Sequence, residues 1–260
     1  MATYLDRILD SHRESARNDS RVLDRLIDDA KAQPPTRGFR AALASAERIS
    51  VIAEIKRRSP SKGDLHAELD PVSLAQTYES AGASCLSVLT DEQYFGGSVD
   101  DLRAARDAVG LPVIRKDFTV DVRDVCDARI MGADCVLLIA AALDDTELAD
   151  FSCLAFEIGL DVLIEVHDER ELERAIVCTK GDLIGVNQRD LITFEVDTDR
   201  ALRVAAEVPP NAVKVAESGV SGRDAALRLA SVGYDALLVG EHLVTAEDPG
   251  GALEALRVPR

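Results

Sequence analysis

Residues 112–139 read PVIRKDFTVDVRDVCDARIMGADCVLLI and contain one complete strand–helix–strand unit. The apolar runs at 112–116 and 135–139 predict strands, and the segment at 121–131 between them is typical of a helix. Gly132-Ala133-Asp134 lies between the helix and the second strand, and glycine suits the C-terminal end of a helix. Two strands joined by a helix predict neighbouring parallel strands.

The same alternation runs along the chain from residue 51. Eight apolar runs predict strands at Val51–Ile55, Cys85–Leu89, Pro112–Lys116, Cys135–Ile139, Val162–Val166, Leu183–Val186, Val213–Ala216 and Ala236–Val239. Helix-like segments separate them at Pro71–Ala81, Val99–Ala108, Asp121–Met131, Asp144–Glu157, Glu169–Val177, Asp197–Glu207 and Gly222–Ser231. No strand is followed by GxGxxG, and the chain has no GxxxxGK[ST] motif. We therefore predict that residues 1–260 form a single (β/α)8 TIM barrel.

Residues 1–48 precede the first predicted strand and form an N-terminal helical extension in this interpretation. Apolar residues recur there at helical spacings: Leu5, Ile8 and Leu9, then Leu23, Leu26 and Ile27. Pro34-Pro35 ends this helical stretch. We expect the extension to pack on the barrel.

The chain is strongly acidic, with 30 Lys and Arg residues against 47 Asp and Glu residues and a net charge of −17. Such a surface repels nucleic acid and anionic membranes, so neither is expected as a partner. An anionic ligand must instead meet a local cluster of cations. The four histidines show no metal-ligand spacing, and we expect no metal and no cofactor. We expect a monomer or a weak homodimer.

The cysteine count and the N-terminus indicate a cytoplasmic protein. The five cysteines are odd in number and include no CxxC pair, which favours reduced thiols over disulfides. The first residues, MATYLDRILDSHRE, lack the apolar core of a signal peptide. No apolar run reaches membrane-spanning length.

Polar side chains recur where several predicted strands end. Because the active site of a β/α barrel lies at the C-terminal ends of its strands, we expect these side chains to share one site. They are Glu54 and Lys56 on the first strand, Lys116 on the third, Glu165 on the fifth, Asn187 and Arg189 on the sixth, and Glu217 on the seventh. Taken singly, each could form a structural ion pair, hold a loop or lie at a solvated strand end.

Two glycine-containing loops follow the last two strands. They read Glu217-Ser218-Gly219-Val220 and Val239-Gly240-Glu241-His242. Backbone N–H groups in these loops often bind phosphate in barrel enzymes, although two plain tight turns would read the same way. The loop after the first strand, Lys56–Gly63, is cationic and is either a mobile lid over an anion or a solvated basic loop.

At this point the residues resemble a known family. The strand 1 segment Ile52–Ser61, IAEIKRRSPS, resembles the signature of indole-3-glycerol-phosphate synthases. Further matching segments are FGGS at 95–98, LPVIRKDF at 111–118, LIEVH at 163–167, IGVNQRDL at 184–191 and AESG at 216–219. The resemblance extends from the N-terminal helices to residue 248.

This resemblance implies an enzyme that acts on a small anionic substrate, 1-(o-carboxyphenylamino)-1-deoxyribulose 5-phosphate. The implied reaction closes an indole ring with loss of carbon dioxide and water, as a step of tryptophan biosynthesis. A protonated lysine near the substrate ketone would make its carbon more electrophilic, and a carboxylate would accept a proton in the dehydration. Two alternatives stay open: another phosphate-binding barrel enzyme similar to phosphoribosylanthranilate isomerase, and a non-catalytic ligand-binding barrel.

The resemblance also implies roles for individual residues. Lys116 would be the main general acid and Glu165 the general base, with Glu54 beside them. Lys56 would meet the substrate carboxylate, and which proton-transfer steps Lys56 and Lys116 each serve stays open. Asn187, supported by Arg189 and Glu217, would bind a sugar hydroxyl or the anilino region. The implied phosphate-site residues are Arg58, Ser61, Ser218, Gly219, Gly240 and Glu241, and the implied apolar walls are Phe95, Phe118 and Leu137.

Two positions depart from the pattern of the family. Glu241 follows the strand 8 glycine, where many members carry serine. A carboxylate aimed at a phosphate is repulsive, so we expect only the amide of Glu241 to bind, with its side chain turned away. Arg58 stands where other members have lysine or alanine, and it should still bind an anion.

Overall fold

Eight parallel strands close on one another in the order β1-β10-β9-β8-β7-β6-β5-β4 in the computed structural model, which describes residues 3–44, 47–60 and 62–260. The predicted (β/α)8 barrel is therefore confirmed. The strands are β1 (Ser50–Ile55), β2 (Arg58–Ser59), β3 (Gly63–Asp64), β4 (Cys85–Leu89), β5 (Val113–Lys116), β6 (Cys135–Ile139), β7 (Asp161–Val166), β8 (Leu183–Asn187), β9 (Val213–Glu217) and β10 (Ala236–Val239). Strands β2 and β3 pair antiparallel outside the barrel, in the loop that follows β1.

Helices surround the barrel and alternate with its strands. They are α1 (Tyr4–Asn18), α2 (Leu23–Lys31), α3 (Phe39–Ala44), α4 (Pro71–Ser80), α5 (Glu92–Phe95), α6 (Val99–Ala108), α7 (Val122–Met131), α8 (Asp145–Glu157), α9 (Glu169–Cys178), α10 (Arg200–Val204), α11 (Arg223–Ser231), α12 (Glu241–Val244) and α13 (Pro249–Leu256). Not one helix of the described chain combines the length and apolar character needed to cross a membrane.

The strand–helix–strand unit at 112–139 shows why these residues adopt this structure. Helix α7 begins at a capping box in which Asp121 accepts from a backbone N–H and Asp124 accepts from that of Asp121. The helix ends at Gly132, whose φ of 101° lies in the left-handed region that glycine adopts without strain. The chain then enters β6 directly.

Alternating side chains of the strands build two apolar layers. One layer fills the barrel interior and includes Ile52, Ile114 and Leu163, all with no exposed surface. The other layer lies between the strands and the helices around them. Helix α3 inserts Phe39 and Leu43, both fully buried, into the interior cluster. Because Phe39 and Leu43 contact the chain where strands β1 and β4 begin, α3 closes the N-terminal end of the barrel.

The N-terminal helices contact both ends of the barrel. Helix α1 lies at the C-terminal ends of the strands, where His12 contacts Asp91 at 2.9 Å and Arg13 pairs with Glu147 at 2.8 Å. Helix α2 packs on α7, and α3 lies at the opposite end. The predicted helices of the extension are confirmed, while a domain limit at residue 48 stays a prediction.

The predicted helix Asp197–Glu207 is shorter in the structure. Helix α10 covers only Arg200–Val204, because Asp197 makes other contacts. Its N–H donates to the carbonyl of Gln188, and its carboxylate accepts from the N–H of Asp199. An aspartate that binds a nearby backbone N–H favours a turn over a helix.

Asp134 joins the extension to the barrel, and its loss should lower stability. Its fully buried carboxylate accepts from the N–H groups of Arg37 and Val113, both at 2.8 Å, and from Arg106 Nη2 at 2.9 Å. The substitution Asp134→Asn removes the charge that pairs with Arg106. It also places the side-chain NH2 of asparagine, which is a donor, against one of the N–H groups that Asp134 accepts from. We expect the free energy of unfolding, measured by urea denaturation, to fall by about 3 kcal/mol.

The exposed Asp150 on α8 supplies the matched control. Asp150→Asn should change the free energy of unfolding by less than about 0.5 kcal/mol. Equal effects of the two substitutions would contradict the role of Asp134.

Candidate active site

A cavity of about 600 Å³ opens at the C-terminal ends of the barrel strands. Among the described residues, all of the predicted site residues except Arg58 line it: Glu54, Lys56, Phe95, Lys116, Phe118, Leu137, Glu165, Asn187, Arg189, Glu217, Ser218, Gly219, Gly240 and Glu241. Because these residues come from all eight barrel strands or the segments after them, the closure of the barrel is what brings them together.

Lys116 lies between two carboxylates in the cavity. Its Nζ is 2.9 Å from Glu165 Oε2 and 3.4 Å from Glu217 Oε2. The Glu165 side chain is 1% exposed and that of Glu217 is 2% exposed. Buried charges are stable only when they are paired, and this cluster contains one more carboxylate than ammonium groups.

The protonation states of this cluster follow from its geometry. Burial alone would lower the pKa of Lys116, but Glu165 and Glu217 raise it above its usual value. Burial would raise the pKa of Glu165, yet Lys116, His167 and Asn187 hold it at about 2. Glu165 is therefore ionised. The raised pKa of Lys116 keeps its ammonium protonated at neutral pH.

Glu217 behaves in the opposite way. Burial raises the pKa of Glu217; Lys116 lowers it, Glu165 and Glu54 raise it further, and it reaches about 8. Its Oε1 is buried and accepts no hydrogen bond from the described residues. Glu217 thus carries a proton at neutral pH.

Glu54 and Lys56 form an ion pair from the same face of β1. Gly240, at the end of β10, lies directly beside them. A Cβ at position 240 would lie 2.1 Å from Glu54 Oε1 and 3.0 Å from Lys56 Nζ. Gly240 therefore makes room for this ion pair, whereas the sequence indicated only that a phosphate could approach its backbone.

Gly185 has the same relation to Glu217 and was not among the predicted residues. A Cβ at Gly185 would lie 2.0 Å from Glu217 Oε1. The glycine on the inward face of β8 therefore gives space to a carboxylate of the neighbouring strand β9. The sequence contained a signal for this contact, because Gly185 lies on the inward face of its strand, two residues before the polar Asn187. Glycines in strands often mark a place where another group approaches the backbone closely.

Asn187 and His167 hold Glu165 in place. Asn187 Nδ2 donates to Glu165 Oε1 at 2.8 Å, and Asn187 Oδ1 accepts from the N–H of Arg189 at 3.0 Å. His167 Nε2 lies 3.5 Å from Glu165 Oε1, while its Nδ1 contacts Glu171 at 3.0 Å. Burial would lower the pKa of His167, but Glu171 and Glu165 raise it.

The loops after β1 and β8 meet the start of α12 at one edge of the cavity, around Glu241. Its carboxylate lies 2.6 Å from Lys62 Nζ and 3.8 Å from Arg189 Nη2. The side chain thus lines the cavity, whereas we expected it to turn away. Ser218 and Gly219 lie in the neighbouring loop with positive φ values of 64° and 69°. Gly219 is outside every helix and strand, and no hydrogen bond within the described ranges uses its N–H group.

Arg58 is the predicted site residue of the described ranges that does not line the cavity. Arg58 Nη2 donates to the carbonyls of Glu92 at 3.0 Å and Gln93 at 2.9 Å, so its guanidinium caps α5. Binding of substrate by Arg58 would require it to leave these carbonyls. Ser61 lies outside the described residues, and its phosphate role stays a prediction.

An apolar wall forms the other side of the cavity. The rings of Phe95 and Phe118 lie 6.3 Å apart, and Leu137 and Phe194 also line the cavity. Phe194 was not predicted, because it lies in the irregular loop after β8 without a strand pattern to orient it. Its ring packs at 5.4 Å on that of Tyr4, so α1 takes part in shaping this wall.

His12, Asp91 and Asp117 form one group of possible metal ligands within the part of the chain that the structure describes. The three side chains also have protein partners. Asp91 Oδ1 accepts from the N–H of Tyr94, and Asp117 Oδ2 accepts from Thr90 and Arg115. This arrangement explains how α1 is held near the wall, and our expectation of a metal-free site stays a prediction.

Together the side chains can carry out acid–base chemistry on an anion. Glu165 offers an ionised carboxylate, Lys116 an ammonium and Glu217 a proton, within a few ångströms of each other. Cations at Lys56, Lys62 and Arg189 lie around the same cavity. The apolar wall can hold an aromatic ring.

Comparison with known proteins agrees with this geometry. The sequence profile of the family described as "Indole-3-glycerol phosphate synthase" matches residues 5–256. A protein of that name from Polaromonas sp. strain JS666 is 47% identical over 261 residues, covering 98% of each chain. Another, from Leptothrix cholodnii, is 47% identical over 261 residues, covering 98% of this chain and 99% of its own.

The fold is also similar to that of more distant proteins. A crystal structure of 3-hexulose-6-phosphate synthase superposes with a TM-score of 0.63 at 15% identity, covering 80% of this chain and 98% of that chain. At this identity the likeness concerns the fold alone. The match over residues 5–256 and the identity of 47% with full-length relatives carry the assignment: the chain belongs to the indole-3-glycerol phosphate synthase family.

Proposed function

We propose that this enzyme converts 1-(o-carboxyphenylamino)-1-deoxyribulose 5-phosphate into indole-3-glycerol phosphate, carbon dioxide and water. The observation that carries the proposal is Lys116, held at 2.9 Å from Glu165 and 3.4 Å from Glu217 in a cavity that also contains an apolar wall. The reaction needs an acid, a base and a surface for an aromatic ring. This one cavity supplies all three.

Lys116 acts as the acid in ring closure. The ring carbon that bears the carboxylate attacks the substrate ketone, a carbon–carbon bond forms, and the ketone oxygen takes a proton. Carbon dioxide then leaves, and the electrons of the broken bond restore the aromatic ring. The ammonium of Lys116, protonated at neutral pH, stabilises the developing charge on the oxygen and supplies the proton.

Glu165 acts as the base in the dehydration. It removes a proton from the carbon next to the former ketone carbon, and the hydroxyl leaves as water after it accepts a proton. The low pKa of Glu165, about 2, keeps its carboxylate ionised, and Asn187 fixes its orientation. The proton on Glu217 lies on the other side of Lys116 and can restore the proton that Lys116 has given up.

The substrate is oriented by its two ends. The aromatic ring packs on the wall formed by Phe95, Phe118 and Leu137. Its carboxylate meets Lys56, and the phosphate lies at the edge formed by the Ser218–Gly219 loop and the residues around Glu241. The N–H group of Gly219, which has no acceptor in the described ranges, supports this assignment.

The alkaline limb of the pH profile tests the role of Glu217. Below a pH of about 8 its carboxyl is protonated, and above it the carboxyl is ionised and repels Glu165. We therefore expect kcat to fall as pH rises through about 8, measured by steady-state rates from neutral to alkaline pH. The glutamine in Glu217→Gln cannot titrate. The kcat of this variant should be lower, but it should not fall as pH rises through about 8. An unchanged limb in Glu217→Gln would assign it to another group.

A fluorescence assay of product formation tests the function itself. The purified chain is mixed with the carboxyphenylamino-deoxyribulose phosphate, with and without a metal chelator. Saturable formation of indole-3-glycerol phosphate in both samples supports the reaction and the expectation of a metal-free site. Binding of the substrate without product would favour a non-catalytic barrel, and loss of activity with chelator would point to His12, Asp91 and Asp117.

We propose in addition that the enzyme works in the cytoplasm as a monomer or weak homodimer. The net charge of −17 supports the absence of nucleic acid among its partners. The proposed location, oligomeric state and absence of nucleic acid do not depend on the roles of the active-site residues.

A further inference from the structure

Every lysine that lines the cavity within the described ranges is already paired with a carboxylate. Lys56 pairs with Glu54 and Lys116 with Glu165, and these carboxylates are 5% and 1% exposed. The third pair, Lys62 with Glu241, differs because the Glu241 side chain is 33% exposed. The first two pairs are fixed inside the barrel, whereas Glu241 has space to turn toward solvent.

The position of Glu241 also differs from that of the other two carboxylates. It lies between Lys62, from the loop after β1, and Arg189, from the loop after β8. Glu241 itself is the first residue of α12, directly after β10, so one carboxylate links two loops and a helix start at the edge to which the proposed function assigns the phosphate. Lysine and arginine side chains commonly bind phosphate in proteins, and at this edge Lys62 and Arg189 are both paired with Glu241.

A phosphate monoester carries a charge of about −1.5 to −2 at neutral pH. At this edge it competes with Glu241 for Lys62 and Arg189, and it is repelled by the carboxylate if Glu241 stays in place. Binding therefore requires Glu241 to release both cations. This requirement weakens the binding of every phosphate by the same factor.

We propose that Glu241 is a resident counter-ion, an internal carboxylate that a phosphate must displace, and that it weakens the binding of ligands that carry a phosphate alone. The inference rests on the proposed function for the position of the phosphate. A substrate with an aromatic ring and a second carboxylate offsets the weakening through contacts with the apolar wall and Lys56. Inorganic phosphate has no such contacts, so nothing offsets the weakening that Glu241 causes.

The test compares the binding of inorganic phosphate to the full chain and to Glu241→Gln, by ³¹P NMR titration. Glutamine keeps the size of the side chain and removes its charge. We expect the affinity for inorganic phosphate to rise about fivefold in Glu241→Gln, which is the effect of losing one or two partly exposed ion pairs. The KM for the phosphorylated substrate should fall by a similar factor, because the change concerns binding of the phosphate group.

Two further variants make the comparison specific. Glu241→Ala should change phosphate affinity in the same direction, which guards against a folding defect in one variant. Glu247→Gln removes the same charge from an exposed residue six positions further along the chain, and it should leave phosphate affinity unchanged. Equal or weaker phosphate binding in both Glu241 variants would overturn the proposal, and so would an equal gain in Glu247→Gln.

The outcome is separable from that of the proposed function. Phosphate titration needs no turnover, so the counter-ion is tested even if the chain forms no indole-3-glycerol phosphate. If the chain is active but Glu241→Gln leaves phosphate affinity unchanged, the proposed function stands and the counter-ion is rejected.

Discussion

Replacing Lys116 with methionine should lower kcat by at least about 10³-fold, because the substitution removes both the proton donor and the charge that stabilises the ketone oxygen. Methionine fills a similar volume, so the barrel should keep its secondary structure, measured by circular dichroism. The cavity would then contain Glu165 and Glu217 without the ammonium between them. We expect these carboxyls to hold an additional proton as a result.

Lys214 offers the matched control for this experiment. It lies on β9, and its Nζ donates to the carbonyl of Ala205 at 3.0 Å, outside the cavity lining. Lys214→Met should therefore retain a kcat close to that of the unmodified chain. A near-normal kcat in Lys116→Met would show that another group is the acid, and Lys56 would be the next candidate.

Replacing Glu165 with glutamine should lower the rate of indole-3-glycerol phosphate formation by about 10²- to 10⁴-fold, the usual contribution of a general base. Glutamine keeps an oxygen that can accept from Asn187, so the side chain should stay in position. The ammonium of Lys116 is retained. Ring closure and loss of carbon dioxide should therefore continue when the dehydration is blocked.

The two variants are distinguished by following carbon dioxide and product separately in a single turnover. Glu165→Gln should release carbon dioxide ahead of the fluorescent product, whereas Lys116→Met should release neither at an appreciable rate. Glu157→Gln, on the exposed side of α8, serves as the control for loss of a glutamate. Equal slowing of carbon dioxide release in Glu165→Gln and Lys116→Met would assign Glu165 to ring closure and not to the later step.

Local sequence was sufficient to predict the strands and most of the helices. A strand such as Cys135–Ile139 is a short apolar run directly after a glycine turn, and these signals act over a few residues. Helices that are shorter or lie in loops were missed, among them α5, α12 and α13. Local caps are present, at Asp91 and Gly96 for α5 and at Asp248 for α13, but these helices are too short for an apolar repeat to reveal them.

The same division applies to the candidate site. The sequence alone predicts that Glu54, Lys116 and Glu165 lie near the ends of their strands on the inward face, because side chains alternate along a strand and barrel closure brings the strand ends together. Which of these groups pair with each other follows from the folded structure alone. Lys116 is 49 residues from Glu165, and Glu241, at the start of α12, reaches Lys62 and Arg189 in two loops. Such pairs depend on rotamers and on space left by Gly185 and Gly240, which no local pattern encodes, since the partners meet only after the barrel has closed.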